Sequence, residues 1–431
     1  MPEVWGRGLI EPGEGNPEQS EASMPKYAQG LYQVDYEARV DLDTMRRDRV
    51  AKTQAAMKDA GLDALILWSD TNVRYLSSLR AIMLQYRSST QYGVMLFPKG
   101  KPILFLSGGE VARAREVMPW IGEFVVIPIM EEPAMVEILT EEHTARILRH
   151  HRADRGRVGF DWMTVPQLNA YRKALPKVEM ADGETFMQRV RRIKLPAELQ
   201  CMREASAIAD AVTQSALDTI HPGVRECEVA GEAMRTMFRL GAEFGHTTSP
   251  FVASGERMAP PTRFATDKII RHGDIVFIDI GACYCGYFGD IGRAAICQAP
   301  RHPMQEKVYR TVHECLMTAE RVMKPGRTNN DVAADIRKVA KKAGLDKHFI
   351  NLFIGHGVGI TPNEPPYIGE PQKGAEEAVL EPGMVFAVEP LIWVPDIPGG
   401  AGVRLEDTIV VTEGEPEVLT RTGFDTRMLG R

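Results

Sequence analysis

The chain has 431 residues, 44% hydrophobic and 26% charged, with a formal net charge of -6 at pH 7. That is too long for one ordinary core, so two domains are expected. The acidic balance lacks the basic footprint of a nucleic-acid partner, no apolar run approaches membrane-spanning length, and the composition is neither disordered nor fibrous.

In chain order, the N-terminus MPEVWGRGLIEPGEGNPEQS is acidic, rich in Gly and Pro, and has no apolar h-region, so no secretory signal is expected. Residues 1–37 read as a tail, or as an arm against another subunit. Six cysteines without an export signal point to a reduced, cytoplasmic protein. A helical pattern runs from Asp41 to Ala60 and stops at Gly61. Strand-like runs follow at Ala64 to Trp68, Tyr92 to Phe97, Pro102 to Leu106, Phe124 to Ile129 and Val158 to Asp161, with helical stretches between several of them, such as Ala134 to His151. This spacing predicts an α/β domain over residues 38–190. LSGGEVAR (106–113) lacks the full G-x-G-x-x-G spacing of a nucleotide fingerprint and reads as a turn. RRIKLPAELQ (191–200) opens a second domain, 191–431, with Pro196 suited to the first turn of a helix that keeps its spacing to Ile220.

The second domain carries an internal repeat. IHPGVRECEVAGEAMRTMFRLG (220–241) matches MKPGRTNNDVAADIRKVAKKAG (323–344) at an offset of 103, and each copy follows a long amphipathic helix, the second over Pro303 to Met323. Further on, GDIVFID (273–279) aligns with GMVFAVE (383–389), which puts Asp279 and Glu389 at equivalent strand ends. Asp290 and Glu406 each open the next strand, in DIGRAAIC and EDTIVVT. Two half-domains related by a pseudo-two-fold would set these four carboxylates around one axis.

Asp279 interrupts an apolar run, where an unpaired charge is costly, so a compensating cation is expected. His356, between glycines in FIGHGVGI, offers a neutral imidazole. Asp279, Asp290, His356, Glu389 and Glu406 together make a hard, oxygen-rich set, suited to two divalent ions of the Mn, Fe, Co or Zn group whose charges the four carboxylates neutralise.

These five residues and the blocks VASGER, IRHGDIVFIDIG, GHGVG, LEPGMVFAVEP and GVRLEDTIVVT resemble the creatinase/prolidase family of pita-bread fold, over about residues 196–431. NVRYLSS (72–78) and its surrounding α/β pattern resemble the N-terminal domain of the prolidase and Xaa-Pro aminopeptidase branch. The resemblance implies an α/β N-terminal domain plus a duplicated α+β C-terminal domain, a dinuclear metal site, a homodimer and hydrolysis of an amide or other C–N bond in a small or dipeptide substrate. Glu389 would then shuttle the proton, and Arg404 would support the carboxylates near the substrate.

Two departures bear on the substrate. Peptidases of this family carry a histidine seven residues after the metal-bound one, where this chain has Asn363, and another about seventeen before the first metal aspartate, where it has Thr262. Both replacements still offer a hydrogen bond to an oxyanion. Ligands kept and histidines replaced is also the pattern of dimethylsulfoniopropionate lyases, so a metal-dependent lyase on a small zwitterion is the alternative. A creatinase-like amidinohydrolase and a non-catalytic binding protein complete the range. His246, in FGHTTSPF, either supplies the missing imidazole or is a structural histidine; Arg257 and Arg263 either bind a substrate carboxylate or sit on a solvated loop. Tyr287 either reaches the site or packs, and Cys283-x-Cys285 is either redox-sensitive or hairpin packing.

Overall fold

A computed structural model of the chain describes residues 39–80, 92–128, 133–258, 264–350, 354–369 and 377–430, so the tail or arm read at 1–37 lies outside the described residues. A helix, α1 (Leu42–Asp59), leads into a six-stranded sheet. Its strands are β1 (Ala64–Leu67), β2 (Gly93–Leu96), β3 (Ile103–Ser107), β4 (Glu123–Ile127), β5 (Arg157–Phe160) and β6 (Glu179–Asp182), in the order β4-β3-β2-β1-β5-β6. Central β1 is buried at all four positions, which is why ALIL reads as an unbroken apolar run. Edge strand β6 escaped the sequence reading because EMAD, exposed or half-buried throughout, has no apolar pattern. The helix expected at 134–151 is present, but its middle, Leu139–Ala145, widens to π-helical turns, where the Thr140 and Thr144 hydroxyls bond back to the carbonyls of Val136 and Thr140.

Helix α2 (Asp70–Ser77) is tied to this sheet by one side chain. Asp161, just beyond β5, accepts from the backbone N–H groups of Trp68 and Ser69 at 2.7 and 2.9 Å and from the Asn72 amide at 3.0 Å. A third helix, α3 (Gly183–Arg192), and the linker after it lead into α4 (Pro196–Asp218).

Beyond α4 the duplication is direct. Helices α5 (Glu226–Arg239) and α6 (Pro303–Val322) are followed by α7 (Asn329–Lys342), and α5 and α7 coincide at both ends under the offset of 103. Their starts are capped differently: the Arg225 N–H donates to the Glu228 carboxylate at 2.9 Å with no cap bond accepted by the arginine side chain, whereas Thr328 and Asp331 exchange bonds at 3.0 and 3.1 Å. The turns before them need a left-handed residue, and Gly223 and Gly326 sit there at φ 97° and 83°.

The first half carries β7 (Phe251–Ser254), β8 (Ile275–Tyr284) and β9 (Tyr287–Ile296) as one antiparallel sheet. β8 runs past Asp279, the strand end implied by the repeat, to a two-residue turn, Cys285–Gly286, whose φ values of 49° and 86° match the hand of a tight hairpin. The second half carries β10 (Gly355–Gly357), β11 (Glu364–Ile368), β12 (Val385–Val388), β13 (Leu391–Val394), β14 (Ala401–Arg404), β15 (Asp407–Val410) and β16 (Glu417–Val418). Five of these form the sheet β11-β10-β12-β15-β16, and β13 pairs with β14. Each half has its own apolar core, one around Val276, Ile278 and Ile291, the other around Phe386, Val388 and Ile409. The halves join where Gly292 and Glu406 exchange backbone hydrogen bonds of 3.4 and 2.9 Å, and where the Thr408 hydroxyl bonds the backbone of Asp290.

Burial pushes the Asp161 carboxyl up from 3.8 to about 6 despite its three donors. A raised native pKa means the folded state holds the proton more tightly, so this contribution to stability is largest below about pH 4, declines up to about pH 6 and is flat above. Asp161→Asn is therefore expected to remove a falling component from the stability curve between those values, read from urea midpoints at each pH against the wild type.

Candidate metal centre

The junction of the two halves gathers the four carboxylates paired by the repeat together with His356. Asp279 lies in β8 and Asp290 in the middle of β9, three residues further into its strand than the pattern implied. Glu389 directly follows β12, Glu406 directly precedes β15, and His356 is the central residue of β10. All five are buried, at 1–3% exposure. Their ligand atoms fall into overlapping groups within 4.8 Å: Asp290, His356 and Glu406 in one, and Asp279, Glu389 and Glu406 in another. The close approach at Glu406 depends on Gly292, where a Cβ would lie 2.8 Å from the Glu406 Oε2.

Electrostatics at this junction are unfavourable for the chain alone. Burial pushes Asp290 up to about 7 and Glu406 up to about 8, and holds Glu389 well above the usual carboxylate range, with the neighbouring carboxylates adding to the shift of Glu406 and Glu389. Arg404 brings one positive charge against four carboxylates: it contacts Asp279, lies 2.6 Å from Glu389 and 3.7 Å from Glu406 Oε2, and rests over the Phe277 ring. Asp290 Oδ1 and Glu406 Oε2 are buried with no hydrogen-bond partner. Burial lowers His356 to about 4, and its Nδ1 lies 3.0 Å from the Gly357 carbonyl, which leaves a neutral ring with Nε2 3.4 Å from Glu389. Excess negative charge, orphaned carboxylate oxygens and a neutral imidazole are the donor set a divalent cation fits.

The other candidates separate. His246 joins the cage, with Nε2 3.3 Å from Asp279 and Nδ1 3.7 Å from Asp290. It also lines a cavity of about 310 Å³, together with the apolar Phe244, Phe288, Ile360 and Pro362 and with polar groups that include Asp70, Arg74, Thr247 and Thr361. Asn363 is exposed on the bend after His356, although its neighbours Thr361 and Pro362 line that cavity. Arg257 is held by its own loop, bonding the Thr266 hydroxyl and lying 3.8 Å from Glu226. Tyr287 does not reach the cage: its hydroxyl bonds Glu198 and accepts from Arg49 at 2.6 Å, a buried pair that ties α1 to α4 and β9. Cys283 and Cys285 are both free thiols, the first buried and the second half-buried. Thr262 and Arg263 lie outside the described residues.

Two contacts of the site's rim were missed in the sequence. Arg74, buried in α2, bonds Glu243 at 2.7 Å. Glu364, next to Asn363, takes Lys194 at 2.8 Å and Arg191 at 3.4 Å from the linker. Nothing in local spacing pairs residues some 170 positions apart; an acidic residue in an apolar stretch, as with Glu364 before Pro365 and Pro366, was the available signal.

The fold and this donor set define a metal-dependent hydrolase, and comparison with known proteins agrees. Residues 200–413 match Metallopeptidase family M24, and residues 49–193 match the Creatinase/Prolidase N-terminal domain. The chain is 36% identical over 244 residues to an Xaa-Pro dipeptidase of Pyrococcus horikoshii, covering 57% of this chain and 67% of the relative. It is 29% identical over 376 residues to an Xaa-Pro dipeptidase of Pyrococcus furiosus, covering 87% and 98%. A solved Xaa-Pro dipeptidase from Bacillus anthracis shares the fold with a TM-score of 0.74 at 28% identity, over 88% of this chain and 99% of that one. The chain belongs to metallopeptidase family M24, and the lyase and amidinohydrolase alternatives are not favoured. Among the described residues no helix is long and apolar enough to cross a membrane.

A divalent ion that binds only the folded protein adds about 2.7 kcal/mol at a hundred-fold excess over its Kd. Chelator-treated protein is accordingly expected to unfold at lower temperature than the same sample resupplied with Mn(II) or Co(II), as seen by calorimetry. Glu364→Ala strands two buried cations and is expected to cost about 3–5 kcal/mol in denaturant unfolding.

Proposed function

We propose that this chain is a dipeptidase that cleaves Xaa-Pro bonds, with two divalent ions held by Asp279, Asp290, His356, Glu389 and Glu406. The observation that carries the reading is the cavity beside His246, which opens an apolar wall next to the carboxylate cage. An Xaa-Pro bond has no N–H, so placing it against Phe244, Phe288, Ile360 and Pro362 leaves no donor unsatisfied. An ordinary peptide N–H set against those four side chains would find no acceptor among them, which is a basis for discrimination. The names of the relatives support the same substrate class.

The bound ions supply Lewis acidity to the scissile carbonyl and lower the pKa of a water. The rest falls to the chain's own groups. Glu389, directly after β12 and facing the cage, takes a proton from the attacking water and returns it to the departing proline nitrogen. Arg404 holds Glu389 and Asp279 in register through its contacts with both. Asn363 offers a neutral amide at the exposed rim. We also infer a homodimer and a reducing, cytoplasmic setting; the latter is supported by six cysteines that are all free thiols.

The test is release of free proline from Xaa-Pro dipeptides by metal-supplemented protein, with Xaa-Ala dipeptides turned over at least about ten-fold more slowly. Equal rates on both would remove the proline reading. Glu389→Gln is expected to lower kcat by about 10²–10⁴, whereas Asn363→Ala, at an exposed position, is expected to change it by less than about ten-fold.

A further inference from the structure

One imidazole, His356, belongs to the ligand set read from the sequence; a second is built into the same cage by a different part of the chain. Residues 243–246 run along β8 beyond the end of β7. The Glu243 N–H donates to the Cys283 carbonyl at 2.8 Å, the Cys283 N–H to Phe244 at 2.9 Å, and the His246 N–H to Gly281 at 3.2 Å. The Gly245–Ala282 bridge sets His246 beside Gly281, and on the other side of β8 Gly281 pairs with Asp290. His246, Gly281 and Asp290 thus form a row across three strands. Asp279, two residues along β8 from Gly281, faces the same side.

Gly281 makes the row possible. A Cβ there would lie 2.6 Å from His246 Nδ1 and 2.7 Å from the His246 Cβ, so a side chain at 281 would occupy the space of the ring. With that space open, the ring reaches across to carboxylates on both of its nitrogens, 3.3 Å from Asp279 Oδ1 and 3.7 Å from Asp290 Oδ1. A neutral imidazole has one N–H and one lone pair, so a carboxylate at each nitrogen leaves the lone pair facing an acceptor. A cation between the lone pair and the carboxylates resolves that conflict. Asp290 Oδ1, buried with no hydrogen-bond partner, faces the same gap. Ligand atoms of His246, Asp279 and Asp290 lie within 4.8 Å of one another, as do those of Asp290, His356 and Glu406, with Asp290 common to both groups.

We propose that His246 is a sixth metal ligand, supplying nitrogen to the ion position between Asp279 and Asp290, while His356 supplies nitrogen to the position between Asp290 and Glu406. This rests on the metal-centre reading above. Each ion then has one imidazole, and the Asp279 side becomes a mixed nitrogen and oxygen site. That site ranks Co and Zn further above Mn than carboxylates alone would.

The test is a Co(II) titration of the full-length, chelator-stripped protein, with bound cobalt counted by elemental analysis and the ligand field followed by visible absorption. The wild type is expected to take two ions per chain. His246→Ala is expected to keep the ion on the His356 side and to bind the other at least about ten-fold more weakly, with loss of its share of the absorption. Gly281→Ala keeps His246 but fills its space, and is expected to give the same loss. His246→Cys is expected to restore the second ion with a new thiolate-to-cobalt charge-transfer band. Circular dichroism identifies any variant that fails to fold, and the remaining two then decide. Two ions of unchanged affinity and spectrum in folded His246→Ala, or in folded Gly281→Ala, overturn the assignment. Proline release by a protein whose second ion ignores His246 removes only this inference; a His246-dependent second ion without proline release removes only the substrate reading.

Discussion

Four carboxylates buried at one junction, with a single guanidinium among them, are the constraint on which the rest of this structure depends. Removed from water, such groups repel one another and resist ionisation, and Arg404 answers only part of the charge. The surrounding structure holds them together regardless. Gly292 makes room for Glu406, Thr408 bonds both the N–H and the carbonyl of Asp290, and buried Arg293 bonds the Glu406 carbonyl and Asp407. A junction braced so firmly around uncompensated charge is one preorganised for cations.

Duplication explains why the junction exists. Each half has its own apolar core, and the chain crosses from one to the other where the strands bearing the carboxylates meet. Carboxylates carried within β8 and β9 of one copy and beside β12 and β15 of the other converge on the common boundary without any one segment carrying the whole cage.

The N-terminal α/β domain and the linker after it meet the second domain through buried charge pairs. Arg49 reaches Glu198 and Tyr287, Arg74 reaches Glu243 beside the cavity, and Arg191 with Lys194 grips Glu364 next to the bend at Asn363. Each pair joins residues far apart in the chain, and each is costly to break from one side, because the partner left behind stays buried. Such pairs set the relation of helices α1, α2 and α3 to the catalytic half more sharply than apolar contact alone would.

Much was legible from order and spacing. The 103-residue offset names the boundaries of α5 and α7, because a capped helix between two left-handed glycines is written locally. The five buried residues of the cage were legible for a related reason: polar residues in or beside apolar strands stand out against their neighbours, and the repeat pairs four of them. Edge strand β6 and the π-helical turns at Leu139–Ala145 were not, since neither has an apolar period of its own. His246 and Tyr287 show the limit most clearly. Each was open between a site role and packing, and the sequence alone determined only that both carry a polar group near the metal aspartates. Tertiary structure decided between them: the register of residues 243–246 on β8 turned one ring over Gly281 into the cage, and the packing of α1 against α4 drew the other hydroxyl away to Arg49 and Glu198. Local sequence sets strand and helix periods, but which side chains meet across strands is set by register and by partners distant in the chain.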